Sequence, residues 1–322
     1  MRILVTGTAG FIGFHVSKEL LNDHKNIIYG VDNFDDYYSP KYKKMRINFL
    51  RKNRRFKFNY LDITNKKKIK LYLKNKKFDY VFHMAAQAGV RFAYLNPKKY
   101  IDVNVSGFLN LLKNLENKVG TKIFYASSSS VYGESNKFPV NENHKLNPKN
   151  IYGVSKLLNE RIAEYFFRVH DYNIIGLRFF TVYGEWGRPD MFLMKLIKSL
   201  FDNSKFYLNN NGNHDRDFTY IGDVVHVIKK LMKISSKKHQ IYNICSNQPQ
   251  NIKKIIENNK IFNLVKFHNK PLHKADVIKT HGSNKKIRSL LKNYHFSDIN
   301  LKIKQIIDWY KNWKIYKIFS KP

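Results

Sequence analysis

Residues 1–13, Met-Arg-Ile-Leu-Val-Thr-Gly-Thr-Ala-Gly-Phe-Ile-Gly, run an apolar strand into three glycines and then into a helical pattern. Few local sequences restrict a fold so tightly. In a turn of this kind one glycine permits the sharp reversal, one lets the backbone approach a pyrophosphate, and one packs helix against strand; the helix N-terminus offers N–H groups and a positive dipole end. The spacing, Gly7-x-x-Gly10-x-x-Gly13, is a variant of the commoner Gly-x-Gly-x-x-Gly fingerprint. Asp32 closes the next apolar strand, Asn26 to Val31, at a distance where a carboxylate accepts hydrogen bonds from the adenosine ribose hydroxyls and repels a 2′-phosphate. The ordered set predicts a dinucleotide site at Gly7, Gly10, Phe11, Ile12, Gly13, Asp32 and Asn33, with NAD favoured over NADP.

Strand-like runs recur at Ile3 to Thr6, Ile27 to Val31, Phe56 to Tyr60, Tyr80 to Met84, Ile123 to Ala126 and Ile174 to Arg178. Helical patterns fill the intervals, notably Lys98 to Asn117 and Tyr152 to Val169. This alternation predicts an α/β fold with a doubly wound parallel sheet, whose ligands bind outside the carboxyl ends of the strands. Asp62 and Ile63 follow the third run, where they serve either an adenine edge or simply turn and core. His83 to Gly89 ends the fourth, and Ala85 and Ala86, with Gln87, are small enough there to let backbone and cofactor come close.

Tyr152 and Lys156 stand at i and i+4, which places both on one face of a helix. A phenol titrates at about pH 10, so it becomes a base at neutral pH only when its pKa is lowered, and a nearby ammonium does this by favouring the phenolate. The serine run Ser127 to Ser130 arrives from a strand end and offers a hydroxyl for the same substrate oxygen. With 21 tyrosines and 59 lysines plus arginines, a Tyr-x-x-x-Lys pair alone says little. Beside the glycine turn it describes a proton-transfer device.

The chain carries a net charge of +35, which ordinarily suggests nucleic acid. Here the basic residues are dispersed through Lys-Asn-Ile-Phe-Tyr-rich stretches such as Lys66 to Lys77, Lys229 to Lys238 and Lys302 to Lys321, without a nucleic-acid-binding motif. We read them as solvated faces with no specific nucleic-acid partner. No apolar run reaches membrane-spanning length and the N-terminus enters a strand directly, so neither a span nor a secretory signal is expected and a cytoplasmic location follows. Cys245 is the only cysteine, which excludes an intramolecular disulfide and a multi-cysteine metal site; no metal is predicted.

Longer ordered motifs add a resemblance. Val31-Asp-Asn-Phe-Asp-Asp-Tyr-Tyr38, Ala85-Ala-Gln-Ala-Gly-Val-Arg91, Tyr125-Ala-Ser-Ser-Ser-Ser-Val-Tyr-Gly133, Leu177-Arg-Phe-Phe-Thr-Val-Tyr-Gly184, Trp186-Gly-Arg-Pro-Asp-Met191 and Arg216-Asp-Phe-Thr-Tyr-Ile221 resemble the extended short-chain dehydrogenase/reductase superfamily, and within it the UDP-glucuronate 4-epimerases, from Met1 to about Trp313. The resemblance implies a Rossmann-type sheet with a smaller α/β substrate-binding cap: an NAD-binding domain of about 1–178 with 220–243, and a nucleotide-sugar cap of 179–219 and 244–322. It implies a tightly bound NAD regenerated in every cycle, with Tyr152 deprotonating the sugar 4-hydroxyl, Lys156 holding the cofactor ribose, and Ser128 bonding the 4-oxygen. Gly89, Arg91, Ser129 and Thr181 fall at substrate-side positions, Arg188 at a position suited to a sugar carboxylate, and Arg216 at one suited to the UDP diphosphate. A homodimer through helices 98–117 and 152–169 is the common assembly.

Related decarboxylases and dehydratases carry an acid just before the Val of Val-Tyr-Gly, where this chain has Ser130, so neither reaction is expected. Two departures stand out: Glu185 replaces a usual proline near Arg188, and Asn251 to Asp276 is short and basic, with Ala275 in place of a glycine. The neighbouring readings are a 4-epimerase of neutral UDP-sugars and, from another class, a non-catalytic NAD-sensing protein.

Overall fold

The strands, in chain order, are β1 (Arg2–Thr6), β2 (Ile27–Asp32), β3 (Phe56–Tyr60), β4 (Tyr80–His83), β5 (Lys122–Ser128), β6 (Asn173–Phe179), β7 (Thr181–Tyr183), β8 (Phe206–Asn209), β9 (Asp215–Tyr220), β10 (Gln240–Ile244), β11 (Pro249–Asn251) and β12 (Phe267–Lys270). The computed structural model describes residues 1–115, 120–234 and 239–319. Seven strands form one parallel sheet in the order β10-β6-β5-β4-β1-β2-β3. The chain moves outward from β1 to β3, crosses back to the other side of β1 as β4, and continues outward. That reversal opens a crevice at the carboxyl ends of β1 and β4. In register, Thr6 pairs with both Val31 and His83, so Gly7, Asp32 and Met84 stand at one level along the carboxyl edge.

A parallel sheet covered on both faces must be apolar on both, and Ile3, Leu4 and Val5 are all fully buried. Their side chains alternate between two cores. Ile3 and Val5 join Phe82 and Phe124 on one face, while Leu4 joins Val81, Ile123 and Tyr125 on the other. The remaining strands make two small sheets, β11-β9-β7 and β12-β8, beside the helices Phe192–Asp202, Ile252–Asn258 and Ile299–Asn312. Among the described residues no helix is long and apolar enough to cross a membrane.

The six expected strands are present as β1 to β6, with ends shifted by a residue or two. The helix expected over 152–169 is Ile151–His170; the Asn150 side chain caps it by accepting from the Gly153 N–H at 2.9 Å, and Asp171 ends it in the left-handed region at φ 52°. The single helix expected over 98–117 is three pieces: Pro97–Tyr100, a π turn at Ile101–Ser106, and Gly107–Leu115. Residues 116 and 117 lie outside the described residues. The wider turn has a partner for the backbone group it frees, since the Asn104 carbonyl accepts from Asn159 Nδ2 at 2.7 Å.

A buried ion pair joins the long helix to the sheet. Arg178 on β6 grips Glu160 through Nε and Nη2, both at 2.8 Å, and the Ser127 hydroxyl on β5 donates to the same carboxylate at 2.6 Å. The two charged side chains are only 3% and 4% exposed. Glu160→Ala should lower unfolding stability by about 3–5 kcal/mol, because it leaves a buried guanidinium without its counter-ion; denaturant titration measures the loss, and a change below about 1 kcal/mol contradicts this account.

Candidate active site

Gly7 leaves β1 with φ +69°, a conformation that side chains disfavour, and a Cβ there would sit 2.5 Å from the Ala85 nitrogen. At Gly13 a Cβ would lie 2.2 Å from the Gly7 carbonyl oxygen. The turn therefore closes only with glycine at both places. Gly10 precedes the helix Phe11–Leu20 without any side-chain cap, so the first-turn N–H groups are not taken by a capping side chain. Gly7, Gly10, Phe11, Ile12 and Gly13 form the floor of a cleft. Asp32, Asn33, Asp62 and Ile63 line one end, and Ala85, Ala86 and Gln87 the side formed by β4.

Asp32 accepts from the Ala9 N–H at 3.0 Å and the Phe34 N–H at 2.8 Å, which aims its carboxylate from the end of β2. Burial raises its pKa, with Lys43 and those two amides acting against the rise. Asp62 accepts from Asn33 Nδ2 at 3.0 Å and from Thr64, so its pKa falls although burial works the other way. Ile63 also packs at Gly107, where a Cβ would come within 2.7 Å of it. The pair thus lines the cleft and also supports the turn and the core beside it. A cradle without room for a Cβ, an uncapped helix start and a carboxylate at the next strand end fit the adenosine diphosphate half of a dinucleotide.

Tyr152, Lys156 and Ser128 line the same cleft. Burial pushes the Tyr152 phenol up, while a hydrogen bond with Ser128 and the positive charge of Arg188 pull it down. Lys156 Nζ donates to the Ala126 carbonyl at 2.8 Å and lies 5.9 Å from the centre of the Tyr152 ring. Burial lowers its pKa to about 7. Ser128 and Arg188 therefore both act on the phenol. Ser129 opens the short 3-10 turn Ser129–Val131, which Ser128 caps through the Ser130 N–H.

On the substrate side, Arg188 reaches the cleft. Its Nε donates to Asp190 Oδ1 at 2.9 Å and Nη2 to Oδ2 at 2.5 Å, and the Tyr37 hydroxyl donates to that second oxygen at 2.9 Å. Gly89 has φ +99°, and a Cβ there would lie 2.2 Å from the Tyr37 hydroxyl oxygen. Thr181 lines a small neighbouring pocket with Arg188. Arg91 pairs with Asp276 at 2.7 Å. Arg216 instead donates to backbone, to the carbonyls of Asp215, Val277 and Ile278, and Asp276 acts on it through space. Arg91 and Arg216 are therefore brought together by the loop around Asp276, apart from the cleft at Tyr152. Glu185 turns away from Arg188. It accepts from the Tyr220 hydroxyl at 2.9 Å and Gln305 Nε2 at 2.7 Å, on a separate groove of about 1010 Å3 that holds none of the expected site residues.

Several residues were missed. Asn104 accepts from the Gln87 N–H at 2.7 Å and donates to the Ser155 hydroxyl at 2.9 Å, tying the end of β4 to the Tyr152 helix. No local pattern announces it, because its placement depends on the π turn. Tyr100 donates to the carbonyls of Ala88 and Gly89 and meets the Tyr152 ring edge-on at 6.1 Å. Tyr37 and Asp190 lay within quoted motifs, but their pairing spans 153 positions. Lys195 stands where it feels Asp190, Arg91, Arg188 and Asp276.

A fold, a glycine turn and a Tyr-Lys-Ser set of this kind define a class of nucleotide-dependent enzymes, and comparison supplies the family. Residues 3–245 match the model of the NAD dependent epimerase/dehydratase family, to which the chain belongs. A UDP-glucuronate 4-epimerase of Thermodesulfobacterium geofontis is 34% identical over 312 residues, covering 96% of this chain and 95% of the relative. UDP-glucuronate 4-epimerase 4 of Arabidopsis thaliana is 34% identical over 97% of this chain and 75% of its own length. The crystal structure of UDP-glucuronic acid 4-epimerase from Bacillus cereus, in complex with UDP-glucuronic acid and NAD, superposes with a TM-score of 0.90 at 28% identity, covering 97% of this chain and all of that one.

The low pKa of Lys156 has a measurable consequence. Its folded value, about 7, lies below the unfolded 10.5, so the penalty for burying the ammonium is complete below pH 7 and disappears as pH rises toward 10.5. Lys156→Met should therefore stabilise the cofactor-free protein at pH 7 and below, on the order of a few kcal/mol, with the gain fading from pH 7 upward and lost by pH 10.5. Thermal unfolding across pH tests this; a gain that grows with pH refutes it.

Proposed function

We propose that this chain is an NAD-dependent 4-epimerase of UDP-sugars that interconverts UDP-glucuronate and UDP-galacturonate. The observation that carries the reading is the meeting of Tyr152, Ser128 and Arg188 in one cleft with the glycine turn: a base, an oxygen ligand and a cation beside a dinucleotide cradle. The full-length relatives named for this activity support it.

Gly7, Gly10, Phe11, Ile12 and Gly13 would hold the cofactor diphosphate, Asp32 and Asn33 its adenosine ribose, Asp62 and Ile63 the adenine edge, and Ala85, Ala86, Gln87 and Lys156 its nicotinamide half. NAD, when bound, supplies the acceptor and later the donor of hydride at the sugar C4. Tyr152 takes the 4-hydroxyl proton as hydride leaves and returns it when hydride is restored, and Ser128 holds the 4-oxygen throughout. The 4-keto sugar turns about its diphosphate between the two steps. Arg91 and Arg216 hold that diphosphate, while Gly89, Ser129 and Thr181 shape the sugar pocket.

Glucuronate brings a hazard, since a C4 ketone is β to the C6 carboxylate and such acids lose CO2 readily. Ser129 and Ser130 offer no acid for decarboxylation or dehydration at the turn before Val131. Arg188 would bind the carboxylate and keep the breaking bond out of line with the ketone. We assign cofactor binding to 1–178 with 220–243, and nucleotide-sugar binding to 179–219 and 244–322. We also propose a cytoplasmic homodimer whose helices 98–117 and 152–169 pair, on the basis of the exposed apolar face at Leu158, Tyr165 and Val169.

Proton NMR of the purified protein with UDP-glucuronate and no added NAD should show UDP-galacturonate rising to a constant ratio. Tyr152→Phe should lower the rate at least 100-fold. Formation of UDP-xylose or a 4-keto pentose would show that the serine turn does not prevent decarboxylation; turnover of neutral UDP-sugars alone would reassign the substrate.

A further inference from the structure

Arg188 carries the only guanidinium among the described residues lining the catalytic cleft, yet two of its five N–H donors are held by Asp190. A guanidinium is planar and offers two edges to a carboxylate. Asp190 takes the Nε–Nη2 edge through both of its oxygens. What remains is Nη1 with the outer N–H of Nη2, and beyond Asp190 the hydroxyl of Tyr37 is the further side-chain partner of Arg188 among the described residues. Asp190 in turn has its second oxygen fixed by the Tyr37 hydroxyl, and the Tyr37 ring lies near the guanidinium, 5.8 Å from its central carbon. Tyr37 can stand there because residue 89 has no side chain. Three elements distant in sequence thus converge on the orientation of one cation: the segment after β2, the loop after β4 and the loop after β7.

From this geometry we infer that Asp190, braced by Tyr37, is a positioning residue that selects acidic sugars: it holds one edge of Arg188 and leaves the other edge presented for the C6 carboxylate. An arginine on a loop, without that hold, would sample rotamers and spread its charge over the cleft. Side-chain entropy lost on binding would then fall on the substrate rather than on the fold. The bracing carboxylate also reduces the net positive charge at the sugar, so recognition depends on bidentate geometry more than on attraction alone. Among the described residues no hydrogen bond joins Arg91, Asp276 or Arg216 to this network, and Lys195 touches both only through its charge.

The inference rests on the acidic-sugar reading above, and the two can fail separately. Isothermal titration of the purified holoenzyme, in a Tyr152→Phe background that prevents turnover, would give affinities for UDP, UDP-glucose and UDP-glucuronate. Adding Asp190→Ala should weaken UDP-glucuronate about tenfold and leave UDP and UDP-glucose within about twofold, the loss of one charge-assisted contact. Asp190→Glu should restore most of the affinity, and Tyr37→Phe should produce a smaller loss confined to UDP-glucuronate. Equal weakening of all three ligands, or no weakening by either Asp190→Ala or Tyr37→Phe, overturns the positioning role alone, provided Arg188→Ala does lower UDP-glucuronate affinity. If Arg188→Ala leaves that affinity unchanged, the acidic-sugar reading falls and this inference with it.

Discussion

The carboxylate of Glu160 is the point on which the catalytic arrangement depends. It is buried on the helix that carries Tyr152 and Lys156, and it is held at once by the Arg178 guanidinium of β6 and the Ser127 hydroxyl of β5. Ser127 is followed by Ser128, so one anion locks together the strand end that supplies the serine and the helix that supplies the base. Arg178 extends the hold through Nη1 to the Tyr132 hydroxyl at 2.9 Å and the Glu142 carbonyl at 3.1 Å, which steadies the segment after the serine turn. Taking such a pair out of water is expensive, and hydrophobic replacement of both partners is often neutral for stability. Its value here lies in direction: apolar packing would leave the helix free to slide along the sheet, whereas a fork of hydrogen bonds does not.

Much of the architecture could be read from local pattern. Period and composition located β1 to β6, and the glycines located the tight turn after β1, because their spacing is a local pattern even though Gly7 also meets Ala85 across the sheet. The Tyr152 helix was legible for the same reason. Asn104 was not, since its role arises from one extra residue in a helical turn and from partners at Gln87, Ser155 and Asn159. Arg188 could be placed in the cleft through its motif, but its tie to Tyr37 spans half the chain and leaves no periodic trace. Arg216 is anchored by donating to the carbonyls of Asp215, Val277 and Ile278, a partner set that only the folded loop reveals.

Electrostatics in the site also differ from those of the whole chain. The protein carries +35, yet the arginines nearest the proposed substrate are matched by carboxylates, Arg188 by Asp190 and Arg91 by Asp276. Lys195 feels the charge of all four groups. The surplus cations of the chain raise the local concentration of anions and steer their approach. Discrimination falls to the paired groups, whose directional contacts are less sensitive to ionic strength.

Glu185 joins the loop bearing Arg188 to the helix Ile299–Asn312 through Gln305, to β9 through Tyr220, and, by its carbonyl oxygen, to His15 of the first helix at 2.8 Å. Trp186 beside it packs against Trp309 and Trp313 of the C-terminal segment. The helix Ile299–Asn312 and Trp313 are therefore the foundation of the loop that bears Arg188. On the ribosome, a sugar pocket that leans on the helix Ile299–Asn312 cannot be finished until that helix has emerged, whereas the residues assigned to the dinucleotide, Gly7 to Lys156, are made long before it.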